Sequence, residues 1–219
     1  MARAKTSDDK KRRVSAEGAL LHRRIVVKAG TNLIIDRELK LDRGMINSLV
    51  AQIADLRRDG AQVLLVTSGA VAAGRHALAQ KETTERRDVP FRQVLAAIGQ
   101  SRLMHAYEEA FARSDISVAQ ALLTRGDIAD RLAYLNIRNT LQALLALDVV
   151  PIINENDVVA IQEIGQAVFG DNDHLSALVA NLVDADFLAI LSDIDGLYTA
   201  DPRRDAHAVL ISRVDSIDA

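Results

Sequence analysis

Apolar residues in this chain follow two patterns that take turns: short continuous runs, and longer stretches at helical spacing. Arg24-Ile25-Val26-Val27 is of the first kind. It runs into Lys28-Ala29-Gly30-Thr31-Asn32 and predicts a buried strand followed by a tight loop. From about Asp42 to Asp59, Met45, Ile46, Leu49, Val50, Ile53 and Leu56 recur at helical spacing, and Gly60 stands where a C-terminal cap belongs. Val63 to Val66 predicts a second strand entering Thr67-Ser68-Gly69-Ala70, then helices with a polar break at Gln80 to Asp88. A third strand is predicted near Ser117 to Leu122, and a helix over roughly Arg131 to Leu147. Val149 to Ile153 is the fourth strand. Pro151 lacks an amide proton, so pairing should start near it, or its nitrogen should face away from a neighbour. A helix beginning near Asp173, for which that residue suits the N-cap, leads to a fifth strand at Phe187 to Leu191.

Strands alternating with helices predict right-handed βαβ units: an α/β, three-layer α-β-α sandwich with a mainly parallel sheet. In such sheets ligands sit beyond the carboxyl ends of the strands, and four polar segments here follow strands directly.

Composition sharpens this picture. Hydrophobic residues make up 49% of the 219 and aromatics only 3%, so the core must be aliphatic, as in a sheet covered on both faces. The net charge of −3 argues against nucleic acid as a partner, and no apolar run is long enough to span a membrane. With no cysteine, disulfides and thiolate chemistry are excluded. Residues 1–23 form a separate unit, read as a solvated, disordered tail: Met1 to Arg13 carries six Lys/Arg against two Asp.

The chemistry-bearing residues are few. Lys28 and Gly30 put a cation and a close-approach backbone at one strand end, suited to phosphate oxygens. Ser68 and Gly69 repeat the layout before a helix start, which favours an anion. Gly69 and Gly74 have P-loop spacing, but Arg75-His76 follows, so this is not a Walker A motif, and no dinucleotide fingerprint occurs. Asn154-Glu155-Asn156-Asp157 and Gly170-Asp171-Asn172-Asp173 are two acidic clusters able to position lysines, bind an amino group or hold a metal through water. Ser192-Asp193-Ile194-Asp195-Gly196 lacks the spacing of a calcium loop, and the five histidines have no metal-ligand spacing.

Taken in order from Arg24 to Val214, these segments resemble the glutamate 5-kinase branch of the amino-acid kinase family. Gly74-Arg75, Gly99-Gln100, Arg102 to Met104, Tyr134 to Asn136, Arg138 to Leu141, and Asp193 to Pro202 add to the likeness. The resemblance implies transfer of the ATP γ-phosphoryl group, with Mg²⁺, to the side-chain carboxylate of L-glutamate, giving L-glutamyl 5-phosphate for proline biosynthesis. By position it implies Lys28 and Asp173 as catalytic residues, the first on the phosphates and the second orienting lysines. Lys28, Gly30, Gly69, Ser192 and Asp193 fall on the ATP side, Ser192 where the family more often has threonine. Ser68, Asn154, Asp157, Asp171 and Asn172 fall on the glutamate side. No protein metal ligand is assigned. A cytoplasmic homo-oligomer with feedback inhibition by proline is implied as well. Two departures stand out: Ile161 to Phe169 is longer than usual, and no glycine follows Gly196 where the family has a Gly-rich nucleotide segment with a second lysine. On this reading the kinase domain, 24–219, is C-terminally incomplete, and the chain alone is expected to show little kinase activity. A different phosphoryl acceptor within the family and a non-catalytic glutamate-binding module are the alternatives.

Overall fold

The computed structural model describes residues 22–78, 89–159 and 171–216. Five strands form one parallel sheet in the order β3-β4-β2-β1-β5: β1 Arg24–Ala29, β2 Gln62–Val66, β3 Val118–Leu123, β4 Val150–Glu155 and β5 Phe187–Leu191. The helices are α1 Thr31–Ile34, α2 Arg43–Arg58, α3 Ala70–Leu78, α4 Val89–Ala112, α5 Arg125–Ala129, α6 Arg131–Ala146 and α7 Asp171–Leu182.

Side chains on a strand alternate between faces, and that alternation sorts the core. Ile25, Val27, Val63, Leu65, Val150 and Ile152 pack against Ile46, Leu49 and Ile53 of α2 and Leu103, Tyr107 and Phe111 of α4. Val26, Leu64, Val66 and Ile153 pack against Leu141 and Leu145 of α6 and Leu175, Val179 and Leu182 of α7. The sheet is the middle of three layers, as the alternation of strands and helices predicts.

Pro151 also sits as its chemistry requires. The Val150 amide donates to Ser117 on the β3 side, so Pro151 faces β2, and β2 pairs with β4 only from Ile152 onward. The end of α2 carries its predicted cap: Gly60 has φ +96°, its amide donates to Arg57, and the Ala61 amide donates to Leu56.

Three details differ from the sequence reading. The loop after β1 closes into the single-turn α1, starting at Thr31. The short α5 precedes α6, closed by a reciprocal Thr124–Asp127 capping box. Asp173 is not an N-cap, because α7 begins at Asp171 and Asp173 lies inside its first turn, where a carboxylate still complements the helix dipole. The polar break at 80–88, the segment 161–169 and all but the last two residues of the 1–23 tail fall outside the described residues.

Helices α3 and α4 touch backbone to backbone. A Cβ on Gly99 would lie 1.7 Å from the Ala70 carbonyl oxygen, and one on Gly74 would lie 1.9 Å from that of Leu95. Only glycine permits this approach. It brings the middle of α4, Gln100 included, beside the start of α3 at the carboxyl end of β2.

Candidate functional site

The strand alternation continues past the core and aims the polar residues. Lys28 follows Val26 onto the α7 face, where its Nζ lies 2.5 Å from Asp173 Oδ1. Lys28 is 8% exposed, so this ammonium is largely out of water and held by one carboxylate. Gly30 makes room for it: a Cβ there would lie 3.2 Å from Nζ. The Gly30 amide itself is taken by the Leu191 carbonyl at 3.3 Å.

At the end of β2, Thr67 turns toward α4 and its hydroxyl meets that of Tyr107 at 2.9 Å, both groups fully buried. Burial pushes the Tyr107 phenol up to about 12, against the opposing pull of the Thr67 hydrogen bond. Ser68 turns the other way, and Gly69, at φ +99°, leads into α3.

Asn172, in the first turn of α7, closes the centre. Its Nδ2 donates to the Thr67 carbonyl at 2.7 Å, and lies 2.5 Å from Ser68 Oγ and 3.1 Å from Asn154 Oδ1. Asn154, at the end of β4, also accepts from the Glu155 amide and donates to Gln100 Oε1 at 2.8 Å. A cavity of about 450 Å³ opens here, lined by Lys28, Ser68, Gly69, Asn154, Asp157 and Asn172 among others.

The remaining sequence-predicted residues lie toward the sheet edge. Beyond β5 the Asp193 carboxylate receives the Asn32 amide at 3.1 Å and the Arg203 guanidinium at 2.5 Å, with Ser192 Oγ 3.3 Å away. Arg203 first, then Asn32, holds the Asp193 carboxyl below the usual carboxylate range. Neither Ser192 nor Asp193 lines the cavity. Asp171 opens α7, and its side chain lies outside the described residues.

Sequence reasoning gave no role to Arg75 and Arg92, which line the cavity, or to Gln100 and Tyr107 behind it. A signal for the last two existed. Gln100 and Tyr107 are seven residues apart, hence on one face of α4, and that face is otherwise the buried seam of Leu103 and Phe111. Two polar groups in an apolar seam require partners.

The arrangement has the parts of a site that brings two charged ligands together: an anchored cation, a helix start, fixed amides and a carboxylate-bearing rim.

Residues 23–219 match the amino acid kinase family. A curated glutamate 5-kinase of Dehalococcoides mccartyi strain 195 is 54% identical over 196 residues, covering 90% of this chain and 52% of the relative. The glutamate 5-kinase of Geobacter sp. strain M21 is 51% identical over 195 residues, with 89% and 51% covered. The chain thus spans about half the length of the curated relatives it matches. Among solved structures, T. acidophilum isopentenyl phosphate kinase superposes with TM-score 0.58 at 17% identity, covering 85% of this chain and 77% of that one. UMP kinase from Bacillus anthracis gives 0.54 at 14%, with 85% and 72% covered. At such identities these two share the fold. With its sheet order, its strand-end cavity and a family match over nearly all of its length, the chain belongs to the amino acid kinase family.

Proposed function

We propose that this chain carries the acceptor site and part of the nucleotide site of a glutamate 5-kinase, which transfers the ATP γ-phosphoryl group to the side-chain carboxylate of L-glutamate. The observation that carries the proposal is the convergence of Ser68, Asn154, Asp157 and Asn172 in one cavity beside the Lys28–Asp173 pair. The names of the curated relatives favour the same acceptor.

The chemistry suits these groups. A carboxylate oxygen is already nucleophilic. It forms the new bond to Pγ as the bond to the bridging oxygen breaks, and ADP carries away the electron pair. No strong base is needed, and the protein's task is to position the reactants and offset charge. Lys28, held by Asp173, is placed to meet the transferring group. Ser68, Asp157 and Asn172, with Asn154 and Asp171, hold the glutamate. Gly30, Gly69, Ser192 and Asp193 contribute to the nucleotide side.

Mg²⁺ commonly binds through one or two carboxylates plus substrate phosphates. Among the described residues no three His, Cys, Asp or Glu side chains converge. Bound to substrate phosphates, Mg²⁺ would neutralise charge on their oxygens. Homo-oligomer formation, feedback by proline and a cytoplasmic site of action belong to the same proposal. Among the described residues no helix is long and apolar enough to cross a membrane.

Calorimetry on the 219-residue chain tests the acceptor. L-Glutamate should bind in preference to L-aspartate and N-acetyl-L-glutamate. Equal or reversed preference would remove the assignment.

A further inference from the structure

Behind the cavity runs a chain of three side-chain amides whose sense is set by the backbone. The Glu155 N–H can only donate, so Asn154 must present Oδ1 to it, at 2.9 Å. That leaves Asn154 Nδ2 as a donor, and Gln100 answers with Oε1 at 2.8 Å. At the other end the Thr67 carbonyl can only accept, so Asn172 must present Nδ2 to it, at 2.7 Å. Asn154 Oδ1 then also receives Asn172 Nδ2, at 3.1 Å. Every amide has one permitted orientation. Turning Gln100 over would set its NH2 against that of Asn154, and turning Asn154 over would set its NH2 against the Glu155 amide.

Two atoms of the network are left open: Gln100 Nε2 and Asn172 Oδ1 are buried and have no hydrogen-bond partner. Buried acceptors without partners are uncommon, and each calls for a reason. Asn172 lines the cavity, and an N–H brought by the ligand is the partner this acceptor lacks. Gln100 does not line the cavity, yet it completes the bonding of Asn154, which holds Asn172.

We propose that Gln100 of α4 is a positioning residue for acceptor selectivity: through Asn154 it holds Asn172 with Oδ1 turned to receive the ammonium of an amino-acid substrate. The inference rests on the acceptor site proposed above. Its reach is specific. Loss of Gln100 should weaken ligands that carry the ammonium and spare those that lack it, whereas a merely structural role would weaken both alike.

The test compares L-glutamate with glutarate, its analogue without the ammonium, by calorimetry on the wild-type chain, Gln100→Met and Gln100→Glu, with thermal melts as a check on folding. Gln100→Met keeps the volume and removes the acceptor; it should weaken L-glutamate about tenfold and glutarate hardly at all, since one part-buried hydrogen bond is at stake. Gln100→Glu keeps a side-chain acceptor for the Asn154 NH2 in the same place, and should restore the preference. Equal losses for the two ligands in Gln100→Met, or no loss for either, would overturn the inference while leaving the glutamate site standing. Absence of L-glutamate binding by the wild-type chain would overturn both. Should Gln100→Met not fold, ¹⁵N spectra of the wild type decide: the NH2 groups of Asn154 and Asn172 should be exchange-protected and should shift with L-glutamate but not glutarate. Free exchange, or equal shifts with both, rejects the proposal.

Discussion

The two halves of the site are built differently. At the sheet centre, where β2 and β4 end, Thr67 is 0% and Asn154 2% exposed, and backbone groups fix the orientation of each amide. At the β5 edge, Phe187 is 46% and Ile190 49% exposed, and Asp193 is tied to Asn32 and Arg203 at the surface. The difference follows from position in the sheet. A central strand has both ladders filled and helices on both faces, so polar groups at its end must find internal partners or bear the cost of burial. An edge strand leaves its polar groups to solvent. Discrimination between small amino acids needs fixed polar partners, because a buried group left unpaired is what rejects the wrong ligand. Among the described residues the centre supplies such partners buried, and the β5 end supplies them exposed.

Lys28 is the residue on which both halves meet, so its removal should have the largest effect. In the enzyme extended to the length of its relatives, Lys28→Ala should lower turnover about 10²–10³-fold, the usual loss for one stabilising contact to developing charge. L-Glutamate affinity should change far less, since the ammonium acts mainly when the phosphoryl group transfers. Steady-state kinetics alongside calorimetry gives the split. Near-normal turnover would show that the cation is structural and that the halves are not joined there.

A second variant tests how much of the centre's rigidity comes from α4. Tyr107→Phe keeps the packing and removes the hydroxyl that meets Thr67, leaving that side chain its longer, 3.4 Å contact with the Ser68 carbonyl. The cost should be about 1 kcal/mol in denaturant unfolding, with a fewfold loss of L-glutamate affinity because the Thr67 carbonyl holds Asn172. The pH dependence identifies the group. Burial favours the neutral phenol, so the folded chain binds this proton more tightly than the unfolded one. That stabilisation is complete below the ordinary value of 10.0 and is lost as pH rises toward about 12. Wild-type stability should therefore fall more steeply than that of Tyr107→Phe across this window. Parallel slopes would mean that the phenol is not buried as described.

The same contrast governs what the sequence showed. The five strands and the long helices were legible from their apolar periodicities, and the segments carrying Lys28, Ser68 and Asn154 were legible because polar residues follow apolar runs at once; Asn172 stood in a second acidic cluster ahead of a helical stretch. The end of α4 was not. Asp115 closes it with positive φ, in the place that glycine takes at Gly60. Aspartate tolerates that conformation but also occurs in turns and caps of other kinds, so it gives no unambiguous signal. Gln100, though part of the Gly99-Gln100 likeness, and Tyr107 were given no role because their partners lie 54 and 40 residues away in sequence, and only the folded sheet brings them together. Arg203 escaped for a similar reason: its carboxylate partner is ten residues back, across a loop whose course the pattern leaves open.

Arg203 supplies the smallest expected effect and the sharpest check on the edge. Its side chain is 61% exposed and that of Asp193 37%, so solvent screens the pair. Exposed ion pairs of this kind contribute little, and Arg203→Ala should change nucleotide affinity by about fivefold or less, with L-glutamate affinity unmoved. The titration of Asp193 should move more visibly. Arg203 is the first cause of its lowered pKa, with Asn32 second, so the variant should shift the carboxyl back toward its ordinary value in a ¹³C NMR titration. The sign for stability follows. A carboxyl held low in the folded chain contributes above its unfolded pKa, and that contribution is lost as pH falls through the folded value. Wild type and variant should therefore differ slightly near neutrality and converge in acid. A fiftyfold loss of nucleotide affinity in Arg203→Ala would mean that the edge holds its ligand as firmly as the centre, and the contrast between the two halves would not survive it.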